Sequence, residues 1–544
     1  MRALDYKNAI NSVFDMKKIT DYILKNEWVA IAALTGLAAI IRLIPILQAD
    51  FPLNEGGMFY VMAKNLSENH YRLPAYTSYN FSNIPFGYSP LAFYLMAGLH
   101  DIFHISYIDI LRFVPLLLSL FIIPVIYFIA YELTASRKIS YLVLALYVLM
   151  PGSFQSFIEG GGITRSPGFF FALLASLYAI KSFRTPKALY LLLTCISLCL
   201  SALFHIESVT FAVYTIVVLF LVYGRTAKSL ALSCLFAVGL VLGTSWWWGM
   251  VVLHHGFTPY LSALHSNPWN AFTLPQLMLL HYVVQPKFDV LTGIYVIGFI
   301  ICLMKKKWFV PVWLGILLAG ASRMIPTAAT VPLAFLAAYG ITEGILPAMH
   351  TISSKPVWKQ LFSLVLISTM VVSLSTIFLH KLSWFDYVTP VEREAMSWVR
   401  TNTDSESSFV VMTSVPAWGW FLDHTLEWFP VLTERKSVST VQGTEWLPGF
   451  SSQLDLNRAL KDCNTKSINC IDKVMNAYRL NYTHIYISKV MQTEPELNTC
   501  CSLLIYTLQH DTNYSLVYDG KGAMVFEKKG VSQLKRYADR EVVR

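Results

Sequence analysis

Residues 28–48 read WVAIAALTGLAAIIRLIPILQ, and residues 49–60 continue ADFPLNEGGMFY. The first stretch is an apolar run of the length that crosses ~30 Å of hydrocarbon as a helix. The second sets Asp50 and Glu55 just beyond its end. Similar runs recur along the chain, at about 111–133, 139–157, 167–183, 188–205, 208–223, 229–253, 288–304, 308–322, 327–347 and 360–380. Hydrocarbon offers no water to backbone N–H and C=O groups, so each run must be a helix. Composition agrees: the 544-residue chain is 55% hydrophobic, 14% charged and has a mean hydropathy of +0.50. A soluble domain carries about 25% charge.

Charge placement orients the eleven spans. Cytoplasmic loops collect Lys and Arg. The N-terminal tail holds Arg2, Lys7, Lys17, Lys18 and Lys25. Alternate loops then hold Arg137 and Lys138; Lys181, Arg184 and Lys187; Arg225 and Lys228; Lys305, Lys306 and Lys307; Lys355 and Lys359. With eleven spans all of these fall on the side of the N-terminus. Residues 89–104 are apolar but broken by Pro90, His100, Asp101 and His104. Counting them as a span would move most basic loops outside, so they read as a helix at the membrane surface.

The sequence therefore predicts a cytoplasmic tail at 1–27, a transmembrane domain at 28–380 and an extracytoplasmic domain at 381–544. A first external loop covers 49–110, and further external segments lie at about 158–166, 205–208 and 254–287. The net charge of +9 is spent on topology, which excludes a nucleic-acid partner. The first 27 residues are polar and mixed, unlike a cleavable signal.

The C-terminal domain reads as α/β. A helix is predicted near 391–402, a β-rich stretch at Ser408–Thr413, and a hairpin joining Tyr514–Tyr518 to Ala523–Glu527 through Asp519-Gly520. Cys463, Cys470, Cys500 and Cys501 fall here, and an external domain can hold disulfides. Their spacing is not the paired CxxC of a zinc site. Cys195, Cys199, Cys234 and Cys302 lie in apolar runs. Glycosylation sequons at Asn65, Asn80, Asn481 and Asn513 all fall in external segments.

The residues able to carry chemistry gather at one membrane face. Glu55 is followed by Gly56-Gly57, and Ile84–Leu91 of the same loop carries Tyr88. The second external loop reads Glu159-Gly-Gly-Gly-Ile-Thr164-Arg165-Ser166-Pro167, where glycines admit a close ligand and Arg165 opens a helix. An arginine at a helix N-terminus suits a phosphate. His205, Glu207 and Arg323 sit at other external junctions. In the C-terminal domain, Glu427, Trp428 and Trp446 set aromatics beside acids, a combination suited to sugar faces.

This order of parts resembles the GT-C superfamily of membrane glycosyltransferases. The shared parts are a first span, a long external loop opening on an acid, a Tyr88-Ser-Pro90-Leu91 segment and a short second external loop. The superfamily includes protein O-mannosyltransferases, aminoarabinose lipid A transferases and oligosaccharyltransferases. The resemblance implies a GT-C-like bundle and transfer of a sugar from a polyprenyl-phosphate donor to a lipid, glycan or protein acceptor on the extracytoplasmic or lumenal face, with inversion of the anomeric carbon. It implies Glu55 as catalytic base and Glu159 as second acid or metal ligand. Arg165, His205 and Arg323 are then candidates for the donor phosphate, and Tyr88, Glu207, Glu427, Trp428 and Trp446 for acceptor or sugar contacts. Where the families carry Asp or Asp-Glu, this chain has Asn54-Glu55. The resemblance thus allows a divalent metal, Mg2+ or Mn2+, without requiring it. It places the protein in the cell membrane, or in the endoplasmic reticulum of a eukaryote. A lipid-linked sugar flippase and a non-catalytic assembly subunit are the competing classes.

Overall fold

The computed structural model describes residues 26–266, 290–320, 323–352, 368–370, 385–490 and 500–530, together with 372, 375 and 379. Six helices among them are long and apolar enough to cross a membrane: Glu27–Gln48, Tyr107–Thr134, Gly162–Arg184, Ile206–Tyr223, Ala227–His255 and Ile325–Met349. Shorter apolar helices occupy Leu91–Phe103, Ala188–Phe204, Val290–Met304 and Phe309–Ala319. The chain is an integral membrane protein. The expected span 139–157 is helical over Arg137–Leu149, then turns through Pro151–Ser153 and Gln155–Ile158. Pro151 has no N–H to continue the ladder. The expected span 360–380 lies almost wholly outside the described residues. So do the basic N-terminal tail, Lys355, Lys359, Ser322 and most of the loop at 254–287.

The two ends of the bundle differ in charge chemistry. At the end where Glu27–Gln48 begins, Arg137 pairs with Glu27 at 3.6 Å. Lys181 and Arg184 pair with Glu132 at 3.4 and 3.1 Å. Lys305 and Lys307 pair with Glu343 at 2.9 and 2.5 Å. Helix ends need partners for four orphan amides. Ser136 and Thr226 supply them here by accepting the N–H of Ile139 and Ser229.

The described residues 385–490 and 500–530 build a mixed five-stranded sheet in the order β4-β3-β5-β7-β6. Its strands are β3 (Ser408–Met412), β4 (Lys436–Ser437), β5 (His484–Ser488), β6 (Tyr514–Asp519) and β7 (Ala523–Lys528). β4, β3 and β5 run parallel, and β7 and β6 are antiparallel. Strand side chains alternate faces. Val410, Met412, Ile485, Ile487 and Phe526 therefore pack with helices Phe450–Lys461, Ile468–Ala477 and Ser502–His510. Phe409, Val411, Tyr486 and Val525 point the other way. The helix Pro390–Asn402 opens on a full capping box, Thr389 with Glu392. Cys463 is bonded to Cys470, and Cys500 to Cys501.

That second face shares one core with the segment that follows the first apolar helix. Phe51, Met58, Phe59, Met62, Tyr79, Ile84, Phe86 and Phe93 join Leu426, Trp428 and Phe429 in it. The loop carries a short helix, Gly57–Glu68, and a two-stranded ribbon of β1 (Tyr76–Thr77) and β2 (Ile84–Pro85). Asn80 is 5% exposed and exchanges hydrogen bonds with the backbone of Ser437 at 2.9 and 2.8 Å. Its sequon is therefore inaccessible in the fold, and its amide serves the interface instead.

Candidate active site

The acid-bearing segment leaves the first span and is pinned from three sides. Asn54 adopts φ 55°, a left-handed conformation that Asn tolerates. Its backbone N–H donates to Asp386 O at 2.7 Å, and its Oδ1 accepts from Asp386 N at 2.8 Å. Gly160 N donates to Leu53 O at 3.0 Å, which joins the loop after the first apolar helix to the loop that precedes the helix Gly162–Arg184. Glu427 Oε1 accepts from Gly56 N and Met58 N at 2.9 and 3.4 Å. Arg393 holds Asp50 at 3.0 and 2.5 Å, and that bond keeps the Asp50 carboxyl below the usual carboxylate range.

These anchors bring Glu55 and Glu159 together around one guanidinium. Arg165 Nη1 lies 2.5 Å from Glu55 Oε1 and 3.2 Å from Glu159 Oε2. The same nitrogen lies 3.3 Å from Ser156 O. Asn54 Nδ2 donates to Glu159 Oε1 at 2.8 Å. The three charged side chains are 13–21% exposed, so they are partly shielded yet reachable. The glycines make this closeness feasible. A Cβ at Gly160 would strike the Glu55 backbone, and one at Gly161 would strike the Glu55 carboxylate and sit 3.1 Å from Arg165 Nη2.

A second group faces it from the junctions of later helices. Arg323 Nη2 donates to Ser266 Oγ at 2.7 Å, and Nε lies 3.6 Å from Glu207 Oε1. Arg323 is 35% exposed, the more open of the two site arginines. His205 caps the helix Ile206–Tyr223, with Nδ1 accepting the Ser208 N–H at 3.2 Å. Nδ1 is therefore an acceptor, and only Nε2 can donate to a ligand. Tyr88 packs beside this second group: its ring centroid is 6.3 Å from His205 and 5.8 Å from Trp446. Trp446 in turn meets Tyr260 at 6.3 Å.

Two residues expected at a sugar face lie elsewhere. Glu427 is 6% exposed and engaged with loop amides, and Trp428 is fully buried between Phe51, Tyr60 and Gly56. Both support the Glu55 loop from beneath. Asn54 and Asp386 are positions of this cluster that sequence reading did not bring together. Asn54 drew notice only as a missing acid, and no local signal tied it to a residue 332 positions away.

No group of three His, Cys, Asp or Glu side chains among the described residues is arranged to hold a metal ion. Glu55 and Glu159 have a guanidinium nitrogen between them. Both oxygens of Glu159 are already bonded. The residues present do not fit a divalent cation.

Neither a protein-family model nor a curated protein sequence matches the chain. Solved structures do. The oligosaccharyltransferase AglB of Archaeoglobus fulgidus, in complex with an inhibitory peptide and a dolichol-phosphate, aligns with a TM-score of 0.56 and 12% identity. That alignment covers 92% of this chain and 74% of AglB. ArnT from Cupriavidus metallidurans, bound to undecaprenyl phosphate, aligns at 0.52 and 11%, covering 93% and 98%. The arabinofuranosyltransferase AftD from Mycobacteria aligns at 0.54 and 13%, covering 92% of this chain and 40% of AftD. The chain has the GT-C fold. The archaeal oligosaccharyltransferase has also been solved in complex with Zn and sulfate.

Proposed function

We propose that this chain is a glycosyltransferase that moves a sugar from a polyprenyl-phosphate donor to an acceptor on the extracytoplasmic side of an eleven-span bundle. One observation carries the reading: Glu55 and Glu159 converge on Arg165 at the bundle end opposite the basic loops, with Arg323 facing the same mouth. The lipid phosphates bound to AglB and ArnT support it. In this reading Glu55 takes the proton of the acceptor as its nucleophile attacks the anomeric carbon. The bond from that carbon to the phosphate oxygen breaks, and the polyprenyl phosphate leaves with the electron pair. A single displacement inverts the centre. Arg323, with His205 Nε2, stabilises the leaving phosphate, and Tyr88 and Trp446 line the sugar's path. Acids and cations gathered at one face favour transfer over a flippase, whose sites lie near the midplane.

The test is turnover of a panel of short-chain polyprenyl-phosphate sugars by the purified chain and by Glu55→Gln. Loss of a general base costs about 100- to 10,000-fold in rate, while thermal melts of the two proteins should coincide. Transfer by a well-folded Glu55→Gln at more than about a tenth of the wild-type rate removes Glu55 from the role. Transport of labelled lipid across vesicles without transfer overturns the reading.

A further inference from the structure

Two carboxylates facing one another need a cation between them, and here it is covalently part of the chain. We propose that Arg165 is the resident cation of the acid pair and stands where a divalent ion would otherwise bind. The inference rests on the reading of Glu55 and Glu159 as the acids of a transferase site.

Three independent features carry it. The Nη1 atom lies within 2.5 Å of Glu55 Oε1 and 3.2 Å of Glu159 Oε2, so it occupies the space between the two acids. Position 54 is an amide, not a third carboxylate. Its Nδ2 donates to the remaining Glu159 oxygen, and its Oδ1 is taken by Asp386 N. A metal ligand at that position would have to present an oxygen to the ion. Finally, Gly160 and Gly161 remove the side chains that would collide with Glu55 and crowd Arg165. The loop is built to admit the guanidinium.

The charge arithmetic has a consequence. Two carboxylates and one guanidinium leave one negative charge, whereas a divalent ion would leave none. The guanidinium is planar, always charged and cannot dissociate. It fixes the direction of both carboxylates permanently, and chelators have nothing to remove. Arg165 thus acts as a positioning residue for Glu55, and the donor phosphate falls to Arg323.

The test reads metal binding rather than transfer, so its outcome is separate from that of the transferase reading. EDTA-stripped full-length protein in detergent is titrated with Mn2+, and free Mn2+ is followed by electron paramagnetic resonance. Wild type, Arg165→Lys and Asn54→Asp should take up no Mn2+ at this site. Arg165→Ala should bind about one equivalent at about 1 mM free metal, in the weak range of sparse carboxylate sites. Adding Glu159→Gln to it should abolish that binding. Arg165→Gln, which keeps a donor between the acids without its charge, serves if the alanine variant does not fold. One Mn2+ bound by wild type and lost in Glu159→Gln overturns the proposal, as does a folded Arg165→Ala that binds none.

Discussion

Glu427 Oε1 accepts the backbone N–H of Gly56 at 2.9 Å, joining positions 371 residues apart. The bond places a carboxyl of the C-terminal domain beneath the loop that presents Glu55. Burial, and then the charge of Glu55, pushes the Glu427 carboxyl up to about 8, against the opposing pull of the Gly56, Met58 and Gly57 amides.

This shift has a definite sign. Between the ordinary value of 4.5 and about 8, folded Glu427 keeps a proton that the unfolded chain has lost. Its contribution to stability is therefore full below about 4.5 and declines as pH rises to about 8, by on the order of a few kcal/mol. Glu427→Gln keeps the oxygen that accepts both amides and cannot titrate. Melting temperatures from pH 5 to 8 should fall more steeply for wild type than for Glu427→Gln. Parallel curves would show that the carboxyl is not held protonated.

Arg323 is the more exposed site cation, and its Nε is buried without a hydrogen-bond partner. Arg323→Ala should raise KM for the lipid donor about 10- to 100-fold, as loss of a charge-assisted hydrogen bond does. Arg323→Lys should recover only part of that, because an ammonium offers a point charge and no fork. An unchanged donor KM in Arg323→Ala counts against the assignment.

Beside the C-terminal sheet lies a buried ion pair, Lys461 Nζ with Asp423 Oδ2 at 2.8 Å, with Thr413 Oγ1 donating to the same oxygen at 2.5 Å. The side chains are 5% and 0% exposed. Asp423→Ala strands the ammonium and should cost about 3–5 kcal/mol. Asp423→Leu combined with Lys461→Met should cost clearly less. Thermal melts of the two variants decide; equal losses would mean that the cavity, not the charge, sets the cost.

Topology has its own check. A tag at position 306, beside the Lys305 and Lys307 partners of Glu343, should be protected from external protease in sealed vesicles. A tag after position 544 should be cleaved. Finding both on one side would reject the three spans expected between those positions, and with them the eleven-span bundle.

Local sequence by itself determined the helical membrane bundle, because an apolar run in hydrocarbon has only one way to satisfy its backbone. It also located β3, the β6–β7 hairpin and the helix Pro390–Asn402, whose periodicities and caps are local signals. It drew Glu55, Glu159, Arg165, His205, Glu207 and Arg323 to one face through topology alone. The pairing of Arg165 with both acids, the use of Asn54 as a donor to Glu159, and the burial of Glu427 and Trp428 under the loop were decided only by the tertiary structure. These contacts join segments up to 371 residues apart. Whether a carboxylate meets a ligand, an arginine or a backbone amide depends on which elements pack beside it, and residue type and spacing carry no record of that neighbour.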